Sequence, residues 1–373
     1  MSKIWTDAEV SAWVEDVVGK LRRKMPFAIA QAQKLDGIPY TTNGQEWLTG
    51  PFDGICWWTN GFWSGAMWQM YLMTGEEQYA REAQRGEDLL DAAFLDFHHL
   101  HHDTGFMWRP SAAAHYDLLG GEKSYDRAME AAVILAGRFN PLGFIRAWNI
   151  ERPGLAIIDC MMNLSLLYWA SEKSGDPRYR MIAMRHADTA MEHFVREDGS
   201  CNHVVVFDPE TMAVIEKPGG QGYAVGSSWS RGQGWALYGF TISYLHTGKQ
   251  EYLNTARKIA DYFISCVGED GIPDADFRAP KEPVRKDNIA GSLAACALLE
   301  LAEATGEETY RSEAIRFLMA MEAQDADWSE ESPAIFRNCR ATYGHEQGQP
   351  MQYGDFYFIE AVNKLRGEKY FIW

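Results

Sequence analysis

YLMTGEEQYAREA, residues 71–83, is the stretch that decides how this chain folds. An apolar run stops at Gly75, a tyrosine follows four residues later at Tyr79, and Ala83 lies four beyond that. Glycine after an apolar helical run supplies the left-handed residue that closes a helix. Residues four apart then share one face of the helix that follows. The spacing returns at Gly121/Tyr125, Gly175/Tyr179, Gly248/Tyr252 and Gly306/Tyr310, with the alanine kept at Ala183, Ala256 and Ala314. A helix–glycine–helix unit recurring along a chain reads as stacked αα-hairpins.

Apolar periodicity and Gly/Pro punctuation predict about twelve helices, at 7–33, 60–74, 76–96, 110–119, 123–138, 156–174, 176–196, 230–248, 250–267, 287–305, 307–324 and 353–366. Several are apolar all round, such as GWALYGFTISYL, and the helices after them, such as YLNTARKIADYFI, are charged on one face. That alternation predicts an inner and an outer ring. The expected fold is therefore all-α, an (α/α)6 toroid with a pit at one end. An open solenoid is the rival, but its end repeats would be polar caps, and the terminal segments here are no more polar than the rest. With no linker of low complexity, residues 1–373 are expected to form one catalytic domain. Four long connections, 34–59, 97–109, 139–155 and 197–229, are where a site is expected, and VVVF within the last reads as a short strand.

The net charge of −17 argues against nucleic acid or an anionic membrane as partner. The six cysteines show no CxxC spacing, and three lie in apolar helical stretches, so free thiols are expected rather than bridges. MSKIWTDAEVSAWVEDVV reads as an acidic amphipathic helix, not a signal peptide, and no apolar run is long enough to span a bilayer. The expected location is the cytoplasm.

Four constellations bear chemistry. The first is aromatic: of 14 tryptophans, Trp57, Trp58, Trp63, Trp108, Trp148, Trp229 and Trp235 fall at helix starts or in connections. Indole faces stack on sugar C–H faces, although each alone also serves to plug a helix end. The second is HHLHHDTGF (98–106). Neighbouring histidines are expected to diverge and no set at ligand spacing accompanies them, so no metal is expected. Asp103 is the residue of interest there, with His102 beside it, unless it is only a turn or N-cap residue. The third is Asp159 in LAIIDCMMNLSLL (155–167). A carboxyl among Ile157, Ile158, Cys160 and Met161 is expected to have a raised pKa suited to a general acid, or else to cap a helix. Together Asp103 and Asp159 make a two-carboxylate site. The fourth is GSSWSRGQGWALYGF (226–240), where Arg231 and Trp235 open a helix that Ser228 or Ser230 would cap. A guanidinium there suits a carboxylate ligand, or satisfies loop carbonyls.

In six segments the chain resembles the unsaturated glucuronyl hydrolases, glycoside hydrolase family 88. They are WTNGFWSG (58–65), HHDTGF (101–106), IIDCMMNLSLL (157–167), HVVVFDPE (203–210), SSWSRGQGWALYGF (227–240) and YGDFYFIEA (353–361). The resemblance implies an (α/α)6 toroid that removes a 4,5-unsaturated uronic acid from the non-reducing end of lyase-generated oligosaccharides. Its partner would be a small anionic unsaturated disaccharide or oligosaccharide, and no cofactor is implied. It implies Asp159 as acid/base and Asp103 as the second essential carboxylate. Phe62, Trp148, His203, Gln221, Trp229, Arg231 and Trp235 match positions lining the substrate pit. The chain departs from the pattern at Asn60, where a relative has Asp, and at Gly220, where a His precedes the matching Gln. YGHEQGQPMQ (343–352) also lacks the Ser- and Lys-containing segment used for sulfated units. Rhamnogalacturonyl hydrolases are the near alternative, but RGQGW (231–235) favours the glucuronyl type over RGNGW. Another (α/α)6 enzyme, or a sugar-binding protein that keeps the tryptophans without needing either carboxylate, is the further alternative.

Overall fold

The computed structural model describes residues 5–51 and 54–373, so the first four residues of the amphipathic start lie outside it. Helix α1 (Asp7–Ala32) begins on a capping box in which the Thr6 hydroxyl accepts the Glu9 N–H and the Glu9 carboxylate accepts the Thr6 N–H. Then come α2 (Asn60–Thr74), α3 (Glu77–Leu95), α4 (Thr104–Trp108), α5 (Ala114–Leu119), α6 (Glu122–Ala136), α7 (Cys160–Ser174) and α8 (Pro177–His193). The chain continues through α9 (Ser230–Thr247), α10 (Gln250–Cys266), α11 (Asn288–Thr305), α12 (Glu308–Asp325) and α13 (Gln352–Leu365).

The repeat does what its chemistry requires. Gly75, Gly175, Gly248 and Gly306 close α2, α7, α9 and α11 in the left-handed conformation, with φ between 67° and 73°. Tyr79, Tyr179, Tyr252 and Tyr310 are buried, as are the four alanines one turn further on. Tyrosine hydroxyls also tie neighbouring outer helices together: Tyr252 donates to Asp188 at 2.8 Å and Tyr310 to Asp261 at 3.1 Å. The unit at Gly121 differs. Gly120 closes α5, and Gly121 stands at the N-cap of α6.

Residues of α9 from Ser230 to Ser243 are buried on every side, while α10 buries only a stripe including Tyr252, Ala256, Ile259 and Phe263. The inner ring runs α2, α4–α5, α7, α9, α11, α13, and it closes because α13 packs on α2. That contact excludes the open solenoid. Helices α3, α6, α8, α10 and α12 form the outer ring, and α1 completes it against α13, so the fold is an (α/α)6 toroid. Aromatic rings fill the axis: Phe62, Phe106, Phe356, Tyr357 and Trp373 pack within 6.2 Å of one another in successive contacts. The opening at one end is therefore a blind pit.

Two predicted helices start elsewhere. Residues 156–159 are not helical, since Leu155–Ile157 form strand β5. Before it come β1 (Thr41–Thr42) with β2 (Trp47–Leu48) and β3 (Phe139–Asn140) with β4 (Phe144–Ile145). The predicted VVVF strand is present as β6 (Val204–Phe207), paired antiparallel with β5 and with β7 (Val214–Glu216). Helical structure also begins at Thr104 rather than residue 110, and it passes through a π turn, Arg109–Ala113, where Pro110 has no N–H to give.

Candidate active site

Both candidate carboxylates stand at helix N-termini, Asp103 ahead of α4 and Asp159 ahead of α7, and neither side chain makes a capping hydrogen bond. The N-cap reading of each therefore fails. Instead the two carboxyls line a cavity of about 220 Å³ with Trp57, Trp58, Trp148, Trp229 and Trp235.

Strand register brings Asp159 to its place. Ile157 pairs with Val204, and the next residue, Ile158, donates its N–H to the His203 carbonyl at 3.0 Å. Asp159 and His203 are thereby neighbours, with Nε2 of the ring 3.4 Å from Asp159 Oδ1. The Gln221 N–H donates to His203 Nδ1 at 2.9 Å, so Nδ1 carries the lone pair and Nε2 the hydrogen that faces the carboxylate.

Asp103 is held in a parallel way. The Trp148 N–H donates to His102 Nδ1 at 3.2 Å, and His102 Nε2 lies 3.3 Å from Asp103 Oδ1. Trp148 achieves this with a left-handed backbone, φ 39°, a conformation costly for a bulky residue and typical of functional sites. Asn163 donates Nδ2–H to Asp103 Oδ1 at 3.0 Å. Asp103 is buried, and burial pushes its carboxyl well above the ordinary range, with the charge of Asp159 adding to the effect against Asn163 and Arg138. Burial, with Arg138, pushes His101 down to about 4, and burial pushes His102 well below its usual value. At neutral pH the two imidazoles are uncharged, so their contacts with Asp103 are not ion pairs.

His101 and His102 do not diverge as expected. A turn closed by the Thr104 N–H on the His101 carbonyl folds them back, and their rings stack at 4.9 Å. Ligand atoms of His101, His102 and Asp103 lie within 4.8 Å of one another. A histidine that binds a metal donates its other ring N–H to a carbonyl or carboxylate. His102 does the reverse, accepting a main-chain N–H at Nδ1, so its Nε2 offers a hydrogen and no lone pair.

Arg231 is buried on the far wall, with its guanidinium 4.6 Å over the Trp229 ring. It donates to the Tyr353 hydroxyl and to the Ala341 carbonyl, while Nε has no partner among the described residues. Burial opposes its charge, but Tyr353, Asp287 and Asp159 outweigh it and the pKa is raised. Gln221 donates to the same Ala341 carbonyl at 2.6 Å. Neither Ser228 nor Ser230 caps α9, whose N-cap is Trp229.

Of the pit residues inferred from sequence, Trp148, Gln221, Trp229, Arg231 and Trp235 reach the cavity wall. Phe62 and His203 do not: His203 is buried beside Asp159, and Phe62 is fully buried beneath Trp58, against Phe106 and Tyr353. Trp58 covers it and takes the wall position. The sequence reading also missed Asn163, which the i, i+4 spacing from Asp159 would have flagged, and Tyr353. Asn60 faces away from the cavity, donating to the carbonyls of Gly54 and Ile55 at 3.1 and 2.9 Å, which a carboxylate could not do. Gly220 has φ 59°, and a Cβ there would stand 2.0 Å from His203 Nδ1.

No family model matches the chain. It is 38% identical over 328 residues to the unsaturated glucuronyl hydrolase of Bacillus sp. (strain GL1), covering 83% of this chain and 86% of that protein. It is 31% identical over 323 residues to the unsaturated chondroitin disaccharide hydrolase of Streptococcus pyogenes serotype M1, covering 82% and 80%. The crystal structure of the Bacillus sp. GL1 unsaturated glucuronyl hydrolase superposes with a TM-score of 0.87, covering 93% of this chain and 96% of that one. With these similarities over most of its length, the chain belongs to the unsaturated glucuronyl hydrolases and is a glycoside hydrolase.

Proposed function

We propose that Asp159 is the acid/base and Asp103 its partner in the hydration of an enol ether. The substrate is a small anionic oligosaccharide whose non-reducing end is a 4,5-unsaturated uronic acid left by a polysaccharide lyase. One observation carries the assignment: two carboxyls that head helices without capping them converge on one aromatic-walled pit. At about 220 Å³ the pit is smaller than the ~300–1,000 Å³ of drug-sized sites. That size suits one sugar ring, with the rest of the chain outside.

The unsaturated ring has C4=C5 conjugated to the C6 carboxylate and joined to the ring oxygen. Asp159 gives a proton to C4, and the positive charge left at C5 is shared with the ring oxygen. Water adds to C5 and returns its proton to the Asp159 carboxylate, forming a hemiketal. The hemiketal opens to a C5 ketone and a C1 hemiacetal, and collapse of the latter releases the aglycone alcohol. One water is consumed, and Asp159 ends as it began. Asp103, its carboxyl raised by burial, supplies hydrogen-bonding atoms beside the acid. Arg231, stacked on Trp229 with Nε uncommitted, is the partner for the C6 carboxylate.

The whole chain, 1–373, is read as one catalytic domain, supported by the contact of α13 with α2 and α1. No helix among the described residues is long and apolar enough to cross a membrane. A reducing, cytoplasmic location is supported by the free thiols of Cys160, Cys201, Cys266, Cys296 and Cys339. The functional reading is tested by incubating the protein with unsaturated disaccharides from chondroitin, heparin, xanthan, gellan and ulvan beside saturated glucuronides. Release of sugar from at least one unsaturated substrate and none of the saturated ones is expected. Turnover of the saturated set alone would refute it.

A further inference from the structure

We infer that Asn163 is a positioning residue that selects which oxygen of the Asp103 carboxyl carries its proton, an inference resting on the role proposed for Asp103. Asn163 is fully buried on α7, one turn beyond Asp159. Its amide has a fixed orientation. The Phe106 N–H donates to Oδ1 at 2.7 Å, which leaves Nδ2 for Asp103 Oδ1 at 3.0 Å and the Asp159 carbonyl at 3.3 Å. Gly105 permits this close approach, since a Cβ there would stand 2.5 Å from the Asn163 Cα.

His102 Nε2 lies 3.3 Å from the same Asp103 oxygen without hydrogen-bonding to it. An oxygen that accepts the Asn163 N–H acts as the carbonyl oxygen, because a hydroxyl there would turn its hydrogen toward that donor. The proton therefore sits on Oδ2. His101 Nδ1, on the cavity wall, lies 3.4 Å from that atom and belongs to a neutral ring at neutral pH. Asn163 thus turns the hydroxyl of the acid toward the cavity side. The other charged or titratable groups facing Asp103 are Asp159, Cys160 and Arg138, and His186 and His203 act on it through His102.

The test is Asn163→Asp, which keeps the shape. Ionised, the new carboxyl has no hydrogen for Asp103 Oδ1; protonated, its hydroxyl restores one while the other oxygen still accepts from Phe106. The ratio of variant to wild-type kcat/KM is expected to fall about tenfold at about pH 7.5 and to recover toward unity at about pH 5. A ratio below unity that does not change with pH would make Asn163 merely structural, and a ratio near unity at both pH values would show that its donor is not used; either overturns the inference. Should Asn163→Asp fail to fold by circular dichroism, Asn163→Ser decides by infrared difference spectra against Asp103→Asn. The protonated-carboxyl C=O band should move to higher frequency when its Asn163 donor is lost, and an unmoved band overturns the inference. Full activity in Asp103→Asn would instead sink the proposed carboxylate pair itself, a separate result.

Discussion

Replacing Gly220 with alanine should damage turnover through His203 without touching a carboxylate. Two costs add. Alanine at φ 59° bears the left-handed strain of about 1–2 kcal/mol. Its Cβ would also stand 2.0 Å from His203 Nδ1 and 2.9 Å from Cγ, where nothing moves freely: the ring is buried, packed on Trp229 at 4.4 Å and bonded to the Gln221 N–H. Displacing it loses that hydrogen bond, about 1 kcal/mol, and moves Nε2 from its place 3.4 Å from Asp159 Oδ1. The expected result is a stability loss of about 2–3 kcal/mol and a fall in kcat/KM of about tenfold. Gly226→Ala is the control, because Gly226 has φ 76° in the same loop and a Cβ there would meet nothing within 4 Å. It carries the strain without the collision and should keep its activity. The assay is loss of the conjugated chromophore's ultraviolet absorbance, with thermal unfolding in parallel. If Gly220→Ala matches Gly226→Ala in kcat/KM, the imidazole does not act on Asp159 as argued.

Asp159→Asn should fold and lose nearly all turnover, and retention of more than a tenth of kcat would remove it as acid/base. Asp103→Asn should lose most activity yet gain relative stability as pH rises. The folded protein holds on Asp103 a proton that the unfolded chain releases, so that group's contribution is full below the unfolded carboxyl's range and drains as pH climbs toward the raised folded value. A thermal midpoint difference that stays constant between about pH 4 and about pH 8 would contradict the raised carboxyl. Arg231→Lys loses the planar fork stacked on Trp229 and should cost about 1–3 kcal/mol of transition-state stabilisation on the acid substrate, with a smaller loss on its methyl ester. Equal losses on both would show that Arg231 does not bind the carboxylate.

What was legible in the sequence was local. Gly, Tyr and Ala at a fixed spacing state a helix end and a helix face within a dozen residues, and five Gly/Tyr pairs spread along the chain point to stacked hairpins. Closure itself depends on α13 meeting α2, residues nearly a whole chain apart. The pairing of β5 with β6 is non-local in the same way, so 155–157 looked like the start of α7. Asp103 and Asp159 were legible because carboxyls beside apolar helical runs need a reason. The groups that set their surroundings were less so. The Trp148 and Gln221 N–H donors belong to the main chain, which every residue has, and only the folded geometry shows that they lock two imidazoles. Phe62 was misplaced because matching a motif fixes a residue's helix but not its depth. Trp58, four residues earlier in the turn that precedes α2, takes the wall, and Phe62 inside α2 lies in the core behind it.

The central claim is that water adds to C5 after a proton reaches C4, not that water attacks the anomeric carbon C1. Turnover in D₂O, with product taken at early times before open-chain exchange, measures this directly. The account predicts one solvent-derived deuterium at C4 of the released uronic acid and loss of the C4=C5 absorbance in step with aglycone release. Product that keeps its double bond, with no deuterium at C4, would contradict the account and assign the reaction to displacement at C1.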